Sequence, residues 1–185
     1  AIYEICLRKN WAQLAKTTLD LCKMIERRIW LSNSPFRQFT DCPSEIIRKT
    51  EASRVPWSYY LSLETPQEIG QAIGTEKFSR KAFEMIQQFP KVRIPEIEVL
   101  PITTSLLKFE LTIMPEWEWN YEIHGASERF LLLVEDVNGE KILYNDIFLV
   151  RQEFVNEQHF VEFTINLPVS DSNKQQIIPP NYFIT

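Results

Sequence analysis

At 185 residues, with 44% hydrophobic and 24% charged side chains, the chain is long enough for one large domain or two small ones and too apolar for a disordered segment. Its net charge of −5 is split unevenly, with 15 Lys+Arg against 10 Asp+Glu in residues 1–93 and 5 against 15 in residues 94–185. No run of about eighteen apolar residues exists, which excludes a helical membrane span, and Ala1-Ile2-Tyr3-Glu4-Ile5-Cys6-Leu7-Arg8 lacks the charged-then-apolar order of a signal peptide.

The chain opens without an initiator Met on a helical pattern, so it reads as a fragment of something longer. Ala1–Lys9 reads as the end of a helix with Ile2, Ile5 and Cys6 on one stripe. From Trp11 the apolar residues Trp11, Leu14, Leu21, Cys22, Ile25 and Ile29 recur near the helical period. Asn10 is the expected N-cap and Gln13 its third-position partner, and Ser32-Asn33-Ser34-Pro35 is expected to stop the helix near Leu31. The resulting helical hairpin has an apolar face that needs a partner missing from this chain or supplied by the next module. Short helices follow in residues 43–89. One starts at Pro43-Ser44, one at Pro56-Trp57, and one at Thr65-Pro66-Gln67-Glu68, where Thr65 caps and Glu68 completes a capping box; Gly74 ends this third helix in a left-handed turn. The next helix is expected over Glu76–Phe89, with Phe78, Ala82, Phe83, Ile86 and Phe89 on its apolar face.

After Pro95 the period becomes two. Leu107, Phe109, Leu111 and Ile113 alternate with polar residues, as do Val161, Phe163, Ile165 and Leu167. Phe130–Val137 and Glu140–Val150 flank Asn138-Gly139, which predicts a hairpin with a type I′ turn. With Glu96–Leu100 and Tyr182–Thr185 this makes about six strands, the pattern of an antiparallel sandwich whose last strands are expected to be missing. Asp171–Gln176 reads as a mobile polar insertion, and an exposed final strand predicts poor solubility of the chain alone. The predicted class is α+β in two modules: a helical hairpin with a helix-hairpin-helix-like module, then the sandwich. The domain ranges are 1–34, 35–93 and 94–185.

Few residues point to catalysis. None of the four glycines lies in a phosphate-binding loop, and His124 and His159 stand without metal-ligand spacing. Cys6, Cys22 and Cys42 also lack such spacing and are expected to be buried, reduced thiols. Glu116-Trp117-Glu118-Trp119 reads as a packed strand corner with solvated carboxylates, or as a carbohydrate or cation site. Glu135-Asp136 lacks the further oxygens that calcium needs. The charge inversion predicts that the basic helical half touches a polyanion and the acidic half a protein. Two helices joined at Gly74 can offer a helix N-terminus to phosphate, with Lys77, Arg80 and Lys81 supplying charge; the alternative is an ordinary solvated helix face.

Taken in order, Trp11-Ala12-Gln13-Leu14, Leu21-Cys22-Lys23-Met24-Ile25, Pro35-Phe36-Arg37-Gln38-Phe39 and Phe89-Pro90-Lys91 form one set of segments. Leu100-Pro101-Ile102-Thr103, Trp119 to Gly125, Leu133-Val134-Glu135-Asp136 and Pro179–Phe183 continue it. Together they resemble the Sec sixty-three homology region of the large spliceosomal superfamily-two RNA helicase, most like the N-terminal cassette of a yeast form. The resemblance implies the end of a helical bundle, a helix-hairpin-helix module and an immunoglobulin- or fibronectin-like sandwich. It implies a non-catalytic accessory region of a nuclear, ATP-dependent helicase that unwinds small nuclear RNA duplexes in spliceosome activation. ATP and Mg would belong to upstream RecA-like domains, with no cofactor in this segment. The implied partners are those domains, single-stranded small nuclear RNA and the largest spliceosomal scaffold protein, with no membrane. Ala1–Lys9 resembles the end of a ratchet helix along which RNA passes, which adds Arg8 and Lys9 to Lys77, Arg80 and Lys81 as implied RNA contacts. The competing readings are the same region of a cytoplasmic relative acting on stalled ribosomes, and a free-standing interaction module.

Overall fold

The computed structural model describes residues 1–53 and 55–167, and the backbone of Phe183–Ile184. The expected polar insertion at 171–176 and the side chains of the last strand lie outside the described residues. Helices and antiparallel sheets make a mixed chain of two units, one of residues 1–19 with 90–185 and one of residues 20–89.

Helix α1 (Ile2–Arg8) ends where Asn10 turns left-handed at φ +57. The Asn10 N–H donates to Leu7 O at 3.1 Å and the Trp11 N–H to Cys6 O at 3.0 Å, a Schellman end with Asn in glycine's usual place. The expected capping box therefore does not form: Asn10 closes α1 instead of opening α2 (Ala12–Arg27), and Gln13 donates its side-chain amide to Gly139 O at 2.8 Å. Helix α2 ends at Arg27, short of the expected Leu31, because Arg28 adopts φ +55 and Ile29 N–H returns to Met24 O at 3.1 Å. An L side chain there costs about 1–2 kcal/mol, so nothing in the residue types signals the stop.

In the unit of residues 20–89, a 3-10 turn (Pro35–Gln38) precedes α3 (Ser44–Ala52), α4 (Trp57–Leu61), α5 (Pro66–Ile73) and α6 (Ser79–Gln87). The Thr65–Glu68 capping box forms as expected, with Glu68 N–H donating to the Thr65 hydroxyl at 3.3 Å and Thr65 N–H to the Glu68 carboxylate at 3.0 Å. Its first-turn carboxylate is held below the usual glutamate range by the Thr65 bond and the Glu64 and Thr65 amides. Helix α6 starts at Ser79 rather than Glu76. Its buried face is Ala82, Met85 and Ile86, with Phe83 half-buried beside them. Phe36, Ile46, Tyr60 and Ile69 fill the core of the unit, and Trp57 meets Phe89 edge-on at 4.8 Å.

In the other unit, β1 (Val92–Thr103), β2 (Leu106–Pro115) and β5 (His159–Asn166) form one antiparallel sheet in the order β1-β2-β5. A one-turn helix α7 (Tyr121–His124) leads to β3 (Glu128–Glu135) and β4 (Ile142–Val150); with β6 (Phe183–Ile184) they form a second sheet in the order β4-β3-β6. Alternation sends Leu107, Phe109, Leu111 and Ile113 inward as expected, against Leu132 and Val134 of the second sheet, and Tyr144 stacks on Phe163 at 4.2 Å. The other side of β3 packs on helices: Leu131 and Leu133 meet Cys6, Ala12 and Ala15. Strand β3 is thus buried on both faces, which explains its unbroken Leu131-Leu132-Leu133-Val134 run.

Among the described residues most of the expected helix stripe stands uncovered, as a face that needs a further partner. Ala12 and Ala15 face the sheet, small enough to let α2 approach closely, whereas Ile2, Ile5, Trp11, Leu14 and Ile25 are exposed. Ala12 N–H donates to Glu140 O at 2.9 Å and Ile142 N–H to Asn10 O at 3.0 Å, so the linker before α2 is stitched to the start of β4. The thiols differ too: Cys6 is buried, Cys22 exposed and Cys42 half-buried, all free. The hairpin forms at Asn138-Gly139, but not through a type I′ turn. Gly139 alone has positive φ (+67), its N–H bonds to Asp136 O at 2.9 Å, and the Asp136 carboxylate accepts from Glu140 N–H at 2.8 Å and Lys141 N–H at 3.1 Å. The Asp136 side chain takes the amides that a two-residue turn would have paired across the ladder.

Candidate nucleic-acid interface

The α5–α6 turn is built on two glycines. Gly74 takes φ +78, closing α5 with its N–H on Gly70 O at 2.8 Å. Gly70 lets the two helices touch, since a Cβ there would meet the Ser79 Cβ at 2.8 Å and Thr75 O at 3.2 Å. Thr75 is buried in the turn, and Lys49 of α3 donates its ammonium to the Gly74 carbonyl while pairing with Glu45 at 2.9 Å. That lysine, absent from the sequence reading, fills the outer side of the turn. Only its (i, i+4) spacing from Glu45 was visible in advance.

The three implied cations of this module differ in their freedom. Lys81 bridges Asp41, reaching its carboxylate at 3.0 Å and its carbonyl at 2.7 Å. Arg80 pairs with Glu84 one turn on at 3.1 Å and is 87% exposed, so that pair yields readily to a competing anion. Lys77 lies 5.0 Å over the Phe78 ring, exposed. Because α6 begins at Ser79, Lys77 and Arg80 flank its first turn, whose N-cap Phe78 supplies no side-chain cap, although Ser79 N–H already donates to Glu76 O at 3.3 Å. Arg8 and Lys9 are exposed at the end of α1, in the other unit.

A polar cavity of about 460 Å³ lies in the helical unit, lined by Glu26, Arg27, Arg28, Ile29, Arg37 and Gln38. Arg37 is held by Glu51, whose second oxygen accepts from the guanidinium at 2.9 Å, and Ser34 N–H also donates to Glu51 at 3.1 Å. The Arg37 bond, then the Ser34 amide, lowers the Glu51 carboxyl to about 2. Arg27 and Arg28 are exposed. The adjacent arginine pair was legible, but its meaning depended on the helix ending at Arg27.

The other chemical motifs are absorbed by packing. Trp117 is buried and stacked on Trp119 at 5.8 Å, and both border His124, whose Nδ1 accepts from Asn120 N–H at 2.9 Å. Glu116 pairs with Arg93 at 2.7 Å and Glu118 faces solvent, which makes this segment a packed corner. His159 contacts Phe154 O at 2.9 Å. Glu135, 2% exposed, is paired to Lys16 at 2.9 Å. Among the described residues, no three His, Cys, Asp or Glu side chains gather as metal ligands.

A family model described as the Sec63 Brl domain matches residues 1–185. The chain is 41% identical to the pre-mRNA-splicing factor brr2 of Schizosaccharomyces pombe. It is 40% identical to the U5 small nuclear ribonucleoprotein 200 kDa helicase of Homo sapiens and 38% to the DExH-box ATP-dependent RNA helicase DExH12 of Arabidopsis thaliana. Each alignment covers 100% of this chain and 8% of the relative.

Proposed function

The chain belongs to the Sec63 Brl domain family, and from that premise we propose that it is a non-catalytic accessory region of an ATP-dependent RNA helicase of the spliceosome. The observation that carries this reading is the end-to-end match to relatives named as splicing factors and RNA helicases. In it, residues 1–34 end a helical bundle, 35–93 form a helix-hairpin-helix-like module and 94–185 an immunoglobulin-like sandwich. ATP and Mg act in RecA-like domains of the parent polypeptide, which this region buttresses in the nucleus. Its partners are those domains, single-stranded small nuclear RNA and the largest spliceosomal scaffold protein.

Lys77 and Arg80 are the first RNA contacts in this reading, because they are exposed beside a helix start with no side-chain cap; Lys81 in the same unit, and Arg8 and Lys9 in the other, are further contacts. The test compares the full-length parent with its K77E/R80E variant, leaving Lys81 in place because it also braces Asp41. Each lost phosphate contact flattens the log–log salt dependence by about 0.7 for single-stranded RNA, so the pair is expected to remove about 1.4 and weaken binding. ATP hydrolysis without RNA should stay unchanged. An unchanged salt slope would take these two residues off the RNA path, and a parent without RNA-stimulated ATP hydrolysis would overturn the helicase reading itself.

A further inference from the structure

The outer face of the β1-β2-β5 sheet has a charge arrangement that a free-standing sheet avoids. The register places Glu98 opposite Glu110 and Glu110 opposite Glu162, so three carboxylates cross three strands in one row. Like charges directly opposite each other destabilise a sheet. Lys108 relieves part of the row, lying 2.8 Å from Glu110 and 2.9 Å from Glu162. Glu98 and its neighbour Glu96 make no ion pair among the described residues, which leaves four glutamates against Lys108 in these rows; Arg93, opposite Met114 on the same face, is taken by Glu116 at 2.7 Å.

The next row is Glu96, Thr112 and Phe160. Phe160 is 81% exposed, the most exposed of the large apolar residues described, whereas on the opposite face of the adjacent strand β2 Leu107, Phe109, Leu111 and Ile113 are buried nearly completely. A cavity of about 160 Å³ opens between the two rows, lined by Glu98, Glu110, Thr112, Phe160 and Glu162 among others. An aromatic ring standing in water beside an uncompensated carboxylate row is the anatomy of a binding face, with an apolar anchor and charged neighbours.

We infer that this sheet face docks a Lys/Arg-rich segment of another protein, its cations laid along the Glu98–Glu110–Glu162 row and an apolar side chain on Phe160. The inference rests on the helicase reading above and names the chemistry of one partner. Charge decides the occupant. Guanidinium groups pair bidentately with carboxylates, and cross-strand neighbours about 5 Å apart match closely spaced basic side chains. A phosphate backbone would meet four glutamates, so RNA is excluded from this face. The source is a separate polypeptide because relatives sharing the whole chain are named as components of a ribonucleoprotein particle.

The experiment places the photo-reactive p-benzoylphenylalanine at position 160 of the full-length parent in its native assembly and maps the crosslinked peptide by mass spectrometry. The expected adduct is a basic segment of a different polypeptide. Its yield should fall about tenfold in an E98Q/E110Q/E162Q background, the sum of three exposed charge pairs, and should fall with added salt. Those substitutions remove repulsion as well as attraction, so circular dichroism of the triple variant should show intact structure and separate loss of docking from loss of fold. An adduct on RNA, on an acidic segment or on the same polypeptide overturns the inference, as does no adduct or one insensitive to the three glutamates. RNA-stimulated ATP hydrolysis is measured on the same sample. If it persists while the adduct is missing, only the docking face is lost; if it is absent, the helicase reading fails separately.

Discussion

Replacing Lys16 with Met should cost more stability than replacing its partner Glu135, although both changes break one ion pair. The two side chains lie 2.9 Å apart, a gross attraction of about 6 kcal/mol at an effective dielectric near 20, before desolvation is counted. Glu135 is 2% exposed and Lys16 35%. Without the lysine, the carboxylate stays on the helix-facing side of β3, beside Leu133 and the Gly139 turn, where it is 2% exposed. An orphaned buried charge of this kind costs about 3–5 kcal/mol. In Glu135→Met the freed ammonium swings into solvent, because long amine stems reach water readily, and the loss should stay near 1 kcal/mol. The double variant K16M/E135M should recover most of the K16M loss, since an apolar pair of similar volume replaces a buried ion pair at little net cost. Hydrogen exchange of the β3 amides, Glu128–Glu135, in all four proteins reads the local stability directly. Equal losses in the two single variants, or no recovery in the double, would refute the asymmetry.

Gly70→Ala should destabilise the helical unit by about 1–3 kcal/mol, because a methyl group there meets Ser79 Cβ at 2.8 Å and must push α5 from α6; thermal melting followed at 222 nm tests it. Thr65→Ala should cost about 1 kcal/mol by removing the hydroxyl that accepts from Glu68 N–H, read as a lower urea midpoint of the same signal. The Glu51 carboxyl is lowered from its ordinary 4.5 to about 2 by Arg37, so its contribution is fully present above pH 4.5 and is lost as pH falls through about 2. Glu51→Gln should therefore lack the acid-side loss of helicity that the parent sequence shows in that window, and identical acid profiles would contradict the pairing.

The elements with local signals were legible in the residues. Thr65-Pro66-x-Glu68 carries its whole cap within four residues, and the Leu107–Ile113 alternation fixes a half-buried strand without knowledge of its partner. What failed depended on distant partners. Asn10 and Gln13 have the residue types of a capping box, yet the amide of Gln13 is taken by Gly139 O, a contact that exists only once β3 and β4 are in place. The large apolar stripe of α2 reads as a face in need of a partner, and it stands exposed; what the residues did not signal is that the sheet takes Ala12 and Ala15, whose lack of bulk permits close approach. Of the candidate site, the types and positions of Lys77, Arg80 and Lys81 were visible. That Asp41 claims Lys81 was not, because forty residues of helix and turn bring them together.

The same dependence on folding reshapes the charge argument. Division at residue 93 yields a basic half and an acidic half, but residues 20–89 carry ten Lys+Arg against nine Asp+Glu, and five of those cations are already paired. The unit holding both sheets carries ten against sixteen, and its excess is concentrated on the β1-β2-β5 face. If the row Glu98–Glu110–Glu162 is held at a cost to the fold, its members should respond unequally. Glu98 has no ion pair among the described residues, so Glu98→Gln removes repulsion alone and should stabilise by about 0.5 kcal/mol, near 2 °C in melting temperature for a domain of this size. Glu110→Gln removes repulsion together with the 2.8 Å Lys108 pair and should gain less. Raising salt from about 0.01 to 1 M shortens the screening length from about 30 to 3 Å and should erase the Glu98 gain. A Glu98→Gln protein that melts lower than the parent sequence at low salt would mean that the carboxylate is stabilising in the isolated fold, and the row would then need no external cation to explain it.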